Sequence, residues 1–307
     1  MKMVEVDNLT KSYGKNLVLN NINLRLNSNR IVAYLGPNGS GKTTTIKALT
    51  KLIKPDSGKI TILGKDTEKA FFSLCGKLGV ILDSSTLYNY LTGKENIELF
   101  ARLMGMQKNK TNHKINTLLE QLNSISYSNK LVKTYSKGMK RRIELARTLI
   151  YDPQVLLIDE PFDGIDVDSK YFIIHLLKEW VKKEERCIFM TSHNINDVEA
   201  FCDDIYIIKS GKILLSDSVL NLKSSSLNKR LFIKTSSNYS CEAIKDIFKF
   251  MKNISYSVNK DEIIIYLDKT IDINNIVFAF SKNGINISEI NYLSDSLEEI
   301  YLKQIRK

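Results

Sequence analysis

The chain predicts an α/β fold built on a parallel sheet, and three stretches predict it. The apolar run IVAYL covers Ile31 to Leu35, the glycine-rich GPNGSGKT follows at Gly36 to Thr43, and VLLIDEP, Val155 to Pro161, sets four apolar residues ahead of two acids. Runs that are apolar throughout belong to strands buried on both faces, as in parallel sheets. A glycine-rich turn between such a run and a helix-forming stretch is built to hold phosphate.

Each element then takes a role from its chemistry. Gly36 and Gly41 bracket a tight turn through Pro37, Asn38, Gly39 and Ser40 whose backbone N–H groups point inward. Lys42 opens the helix that follows, whose N-terminus adds a favourable field for anions. Lys42 is placed to reach terminal phosphates and Thr43 to put its hydroxyl on a magnesium ion, and Thr44 joins the nucleotide-binding set. Ligands of open parallel sheets bind beyond the carboxyl ends of the strands. Asp159 should therefore meet the magnesium ion, and Glu160 should orient or deprotonate an attacking water beside the terminal phosphate.

With these residues in place, the chain resembles the ATP-binding subunits of ABC transporters. The resemblance implies an α/β fold of the P-loop NTPase, ABC ATPase type, with a helical subdomain and a small C-terminal α/β domain. It implies ATP and Mg2+ as cofactors. Tyr13, in LTKSYG, matches the family's adenine-stacking aromatic residue. YSKGMKRR, Tyr135 to Arg142, resembles the signature that contacts ATP held by the opposite subunit, with Ser136, Lys137, Gly138 and Met139 at the contacting positions. Lys137 stands where the commonest signature has its first glycine, and Met139 where it has glutamine. The pattern S-x-G-M-K-x-R is nevertheless common in exporter-type members. Asp166, in DGID, matches the carboxylate of the loop linking one site to the other. His193, in TSH, matches the switch histidine that hydrogen-bonds the terminal phosphate. Asp83 stands where most members carry glutamine; a subgroup resembling bacitracin-resistance, lantibiotic-immunity and drug-export ATPases carries glutamate there, and the downstream LTGKENI agrees with that subgroup. Asp83 is accordingly expected at the metal.

The resemblance also implies partners: a second ATPase subunit, read as a second copy of this chain, and an integral membrane permease contacted through the Leu87 to Asn96 region, with no specific nucleic acid. The expected place is the cytoplasmic face of the cell membrane, as a peripheral protein, and the expected activity is ATP hydrolysis powering export of an antimicrobial peptide, drug or similar toxic compound. Two other readings stay open. One is an ATP-binding regulatory module with little turnover, and the other is a soluble ABC-type ATPase acting on a ribosomal or nucleic-acid partner.

The order of elements gives a domain plan. Residues 1–220 form the ATPase domain, with the helical subdomain over about 88–150 and helical signals at Leu91 to Met104, His113 to Leu122 and Met139 to Ile150. YIIKSGKILLSD reads as a hairpin around Gly211. The serine-rich stretch 221–230 reads as a linker. Residues 231–307 read as an accessory α/β domain, with RLFIKTS, EIIIYLD and INISEINYL as strands and helices over Cys241 to Met251 and Ile273 to Lys282. Dimer contact or regulation is one use for it, and a packed appendage is the other.

Bulk properties agree. The chain has 307 residues, 43% hydrophobic, enough for one large core and a smaller one. No secretory leader is visible at MKMVEVDNLTKSYG, and no run of about 18 to 20 apolar residues could span a bilayer. Cys75, Cys187, Cys202 and Cys241 have neither metal-ligand nor redox spacing, and His113 and His175 read as structural or surface residues. The net charge of +11 would suit nucleic acid or an anionic membrane face. No recognition helix or aromatic platform accompanies it, however, and the lysines are scattered among asparagines. The densest basic stretch holds Lys130, Lys133, Lys137, Lys140, Arg141, Arg142 and Arg147 against Glu144 alone, and reads either as a polyphosphate- or membrane-facing patch or as a solvated helix.

Overall fold

The computed structural model describes residues 1–225, 230–236, 244, 247–248, 255–266, 273–293 and 296–306. It divides into two units, Met1–Val219 and Leu220–Lys307.

The first unit contains two sheets. Strands β1 (Lys2–Tyr13), β2 (Asn16–Asn27), β4 (Ser57–Ile62) and β5 (Lys65–Asp66) form an antiparallel sheet in the order β2-β1-β4-β5. The second sheet holds β3 (Arg30–Leu35), β6 (Leu78–Ile81), β7 (Val155–Ile158), β8 (Cys187–Ser192), β9 (Asp204–Lys209) and β10 (Lys212–Ser218), in the order β10-β9-β3-β8-β7-β6. Strands β3 and β6–β9 pair in parallel, and β10 returns antiparallel from the turn at Ser210 and Gly211, both at positive φ as a two-residue hairpin needs. The sequence's continuous apolar runs are explained by this sheet: every residue of β7 and β8 is buried.

Helix α1 (Lys42–Leu49) lies in the layer between the sheets. Ile46 and Leu49 pack there with Val6, Leu19 and Leu24 of the antiparallel sheet and with Val32, Tyr34, Leu157 and Phe189 of the parallel one. The parallel register decides where the chemistry can sit. Leu35 pairs with Ser192, Ile158 with Met190 and Ile81 with Ile158, so the carboxyl ends of β3, β6, β7 and β8 form one rim. The loops leaving it carry Gly36, Leu82, Asp83, Asp159, Glu160 and His193.

Besides the short α2 (Thr67–Ala70), helices α3 (Gly93–Leu103), α4 (Lys108–Gln121) and α5 (Lys137–Leu149) occupy the middle of the chain. Thr92 and Glu95 close a capping box on α3, the local reason it begins there. Helix α4 starts five residues before the apolar signal at His113. KNKTN carries no apolar period and Gln107 makes no side-chain cap, so nothing in the sequence marks that first turn. Helices α6 (Val167–Lys182) and α7 (Ile195–Phe201) complete the parallel-sheet crossovers.

The stretch expected as a linker opens instead with helix α8 (Val219–Ser225). Val219 and Leu222, three positions apart, are both buried, and that apolar pair outweighs the loop signal of the serines; residues 226–229 lie outside the described residues. In the second unit β11 (Arg230–Thr235), β12 (Ser255–Asn259), β13 (Glu262–Tyr266) and β14 (Ile287–Leu293) form an antiparallel sheet in the order β12-β13-β11-β14. Helices α9 (Ile273–Lys282) and α10 (Leu297–Ile305) accompany it. Leu231, Ile233, Ile263 and Ile265 bury one face of the sheet with Ile276 and Phe280 of α9 and with Ile244, Ile247 and Phe248. Those last three are helical and spaced for one face; the rest of the helix expected over Cys241 to Met251 lies outside the described residues. Glu299 of α10 grips the Arg230 guanidinium with both carboxylate oxygens, at 3.0 and 2.6 Å. Among the described residues no helix is long and apolar enough to cross a membrane.

Candidate functional site

The turn Gly36–Lys42 is forced into shape by what surrounds it. A Cβ on Gly36 would stand 2.4 Å from the Ile208 carbonyl oxygen, and Gly41 sits at φ +108° with Leu19 and Val18 against it, so neither position admits a side chain. Helix α1 leaves this turn with no side-chain cap and no acid in its first turn. Its leading N–H groups therefore face the mouth of the turn without acceptors, the arrangement that receives an anion. Ser40 Oγ is buried inside the turn with no hydrogen-bond partner. Lys42 is also buried; its ammonium donates to the carbonyl oxygens of Gly36 at 2.7 Å and Pro37 at 3.3 Å, and lies 3.5 Å from a Glu160 carboxylate oxygen. A cation held on carbonyls beside unspent donors fits a polyphosphate chain. Thr43, Pro37, Asn38 and Gly39 are exposed around it, and Thr44 is half-buried.

Across the rim, Asp159 is 1% exposed and Glu160 stands at φ +45°, an uncommon conformation for a non-glycine residue. One hydroxyl organises both: Thr191 Oγ1 donates to the Asp159 carboxylate and accepts the Glu160 N–H at 3.0 Å. His193 Nδ1 lies 3.0 Å from the other Glu160 oxygen. Glu160 thus sits between Lys42 and His193, with Asp159 fixed behind it. The sequence alone gives Thr191 no role, although TSH contains it; its position in register with Tyr34, at the end of a strand between the two site loops, is the signal. Thr191→Val keeps the shape and removes both bonds. It should destabilise the protein by about 1–3 kcal/mol, the cost of leaving buried partners unmet, and slow any turnover that needs a fixed Glu160; denaturant midpoint and rate unchanged together would discard the role.

Asp83, two residues beyond β6, is exposed on the rim at the level of Glu160, two residues beyond β7. Among the described residues no cluster of three His, Cys, Asp or Glu side chains makes a protein-only metal site. The oxygen donors Thr43 and Asp159, with Asp83 on the same rim, fit a hard ion that keeps substrate oxygens and water in its shell, as magnesium does. Tyr13 ends β1, half-exposed, with the Lys11 ammonium 5.6 Å from its ring centre.

Ser136 caps α5, accepting the Met139 N–H at 3.2 Å; Ser136 and Lys137 are exposed, Met139 is half-buried and Gly138 is buried. Gly138 packs against the start of α6: a Cβ there would come within 3.2 Å of Asp166 and 3.1 Å of Ser169. Asp166 itself caps α6 through the Ser169 N–H at 2.8 Å, which holds its carboxyl below the ordinary range. Lys137 lies across Gly164 and pairs with Asp163 at 3.0 Å, so the Asp163 carboxyl is likewise held low.

These bonds correct both readings of the basic stretch at its arginines. Lys137 pairs with Asp163 but stays exposed. Arg141 is buried on backbone carbonyls and Glu144. Arg142 donates to Ser169 and covers the Phe172 ring at 4.8 Å. Arg147 holds Thr86 through its carbonyl and hydroxyl and covers Phe100 at 4.3 Å. The three arginines fasten α5 to its own chain, and Lys130, Lys133 and Lys137 are left exposed. Cys187 and Cys202 are buried and their thiols pushed up by burial, Cys187 to about 12, so neither is a nucleophile here.

A phosphate-binding turn, a buried lysine and two acids at the carboxyl rim of a parallel sheet define a nucleotide-binding α/β protein of the P-loop class. A family model described as "ABC transporter" matches residues 19–163. The bacitracin transport ATP-binding protein of Bacillus licheniformis is 31% identical over 303 residues, 99% of this chain and 97% of that protein. The linearmycin resistance ATP-binding protein of Bacillus subtilis is 33% identical over 216 residues, covering 69% of this chain and 68% of that one. Among solved structures, an ATP-binding subunit of an ABC transporter matches with TM-score 0.67 and 25% identity over 73% of this chain and 92% of its own. An ATP-binding cassette in a dimeric post-hydrolysis state with ADP and phosphate matches with TM-score 0.65 and 26% identity, over 71% of this chain and 99% of its own. The chain belongs to the ATP-binding proteins of ABC transporters.

Proposed function

We propose that this chain hydrolyses ATP between two copies of itself and uses the cycle to drive a separate membrane permease that exports an antimicrobial peptide, drug or similar toxic compound. The observation that carries the hydrolytic part is the convergence of Lys42, Asp159, Glu160 and His193 on one rim.

In each copy Tyr13 stacks on adenine, the turn Gly36–Thr44 and Lys42 bind the phosphates, and Glu160 takes up the proton of the attacking water while His193 holds water and phosphate in line. Thr43, Asp83 and Asp159 would hold magnesium, which supplies charge neutralisation on the phosphates when bound. Ser136, Lys137, Gly138 and Met139 approach the nucleotide of the other copy, with Asp166 beside them. Phosphate between the two surfaces favours the closed pair; its loss after hydrolysis opens it. The solved cassette dimer with ADP and phosphate supports this arrangement by likeness, and the bacitracin and linearmycin relatives support export of a toxic compound.

Purification of the tagged chain from detergent-solubilised membranes of its host, with mass spectrometry of what accompanies it, should recover a polytopic membrane protein in stoichiometric amount. Recovery of ribosomal or other soluble partners alone would sink the permease reading and favour a soluble ABC-type ATPase.

A further inference from the structure

Arg141 is a buried cation with no task in the scheme above. Its side chain leaves the second turn of α5 and enters between the loops that follow β6 and β7. Nη1 donates to the Leu82 carbonyl at 3.3 Å and to Glu144 Oε2 at 3.2 Å, and Nη2 donates to the Glu160 carbonyl at 3.3 Å. Leu82 immediately precedes Asp83. One planar guanidinium therefore spans the two loops that carry Asp83 and Glu160.

The bond to Glu160 falls on a backbone that needs support. Glu160 is at φ +45°, a conformation that persists only where the surroundings over-determine it. Thr191 holds its N–H side and Arg141 its carbonyl side. Glu144, 3% exposed, holds the guanidinium with one oxygen, while its other oxygen is buried without a partner. A buried ion pair is often no more stabilising than an apolar pair of similar volume, which points to what it orients.

We propose that Arg141, held by Glu144, is a positioning residue of the hydrolytic site. It fixes the Glu160 peptide and the Asp83 loop as one unit and ties both to α5, the helix whose first turn carries Ser136 to Met139. A displacement at that turn is then carried to both acids together. The inference rests on the ATPase reading above.

The test uses the purified full-length chain carrying Arg141→Met together with Glu144→Leu, which removes the paired charges together and leaves Arg147 on Thr86 and the Phe100 ring. Steady-state ATP turnover and amide hydrogen exchange are measured beside the wild type. Turnover should fall roughly tenfold to a hundredfold, as for small misplacements of reacting groups, with KM for ATP within about twofold of wild type. Exchange over residues 82–86 and 161–165 should quicken together, with α5 and the unfolding midpoint unchanged. Arg141→Lys, whose compact ammonium lacks the planar fork that spans the two loops, should fall between. Unchanged turnover, or unchanged exchange in either loop, overturns the proposal; so does loosening spread over all of α5, which would mark a merely structural pair. A wild type without turnover would sink the ATPase reading instead, and the exchange data would still decide whether Arg141 joins the loops.

Discussion

Glu160→Gln should bind ATP and accumulate as a closed pair of chains while turning over roughly a hundredfold to ten-thousandfold more slowly, the range expected when a general base is lost. The substitution is clean because the Glu160 backbone is held without its side chain: its N–H lies on Thr191 and its carbonyl on Arg141. What changes is the charge and basicity of one group, already set between Lys42 at 3.5 Å and His193 at 3.0 Å. An amide keeps the size and can still meet both neighbours, but it cannot accept a proton from water. Gel filtration with MgATP and a steady-state assay read the two halves separately. Turnover within a few fold of wild type would remove Glu160 as the base. Loss of turnover without a trapped pair would keep the base and discard the idea that hydrolysis reopens the interface.

Much of this site was legible because its chemistry is local in sequence. The turn Gly36–Thr43 and the acids after Val155–Ile158 each announce a strand end, and a parallel sheet brings strand ends to one rim whatever lies between them. The bonds that set the geometry were less visible. Thr191 and Arg141 act through register and burial, joining residues 31 and 19 positions away, and a hydroxyl or a guanidinium carries no mark of the partner it will find. The basic stretch misled for the same reason. Counting charge assumes that cations face solvent, whereas Arg141 and Arg147 point inward and are paid for by carbonyl oxygens, a carboxylate and an aromatic face. Local propensity failed in the opposite sense at Val219–Ser225, where two buried apolar side chains make a helix of a serine-rich segment.

Lys42→Ala should remove most of the thermal stabilisation that ATP confers. The Lys42 ammonium is held inside the turn by the Gly36 and Pro37 carbonyls; phosphate oxygens entering beside Ser40 would take over as its partners. The lysine is thus a desolvated positive charge already aimed at the phosphates, and little must be reorganised for it to bind them. A ligand at one hundred times its Kd stabilises the folded protein by about 2.7 kcal/mol, or about 5–10 °C in melting temperature for a domain of this size. If removal of the charge weakens binding about a hundredfold, the same ATP concentration leaves about 0.4 kcal/mol, a shift of roughly 1 °C. Because the reading is a difference between melts with and without ATP, any change in the nucleotide-free variant cancels. A full ATP-induced shift in Lys42→Ala would show that the turn holds phosphate by its backbone alone, and it would move Lys42 from binding to a role met only during the reaction.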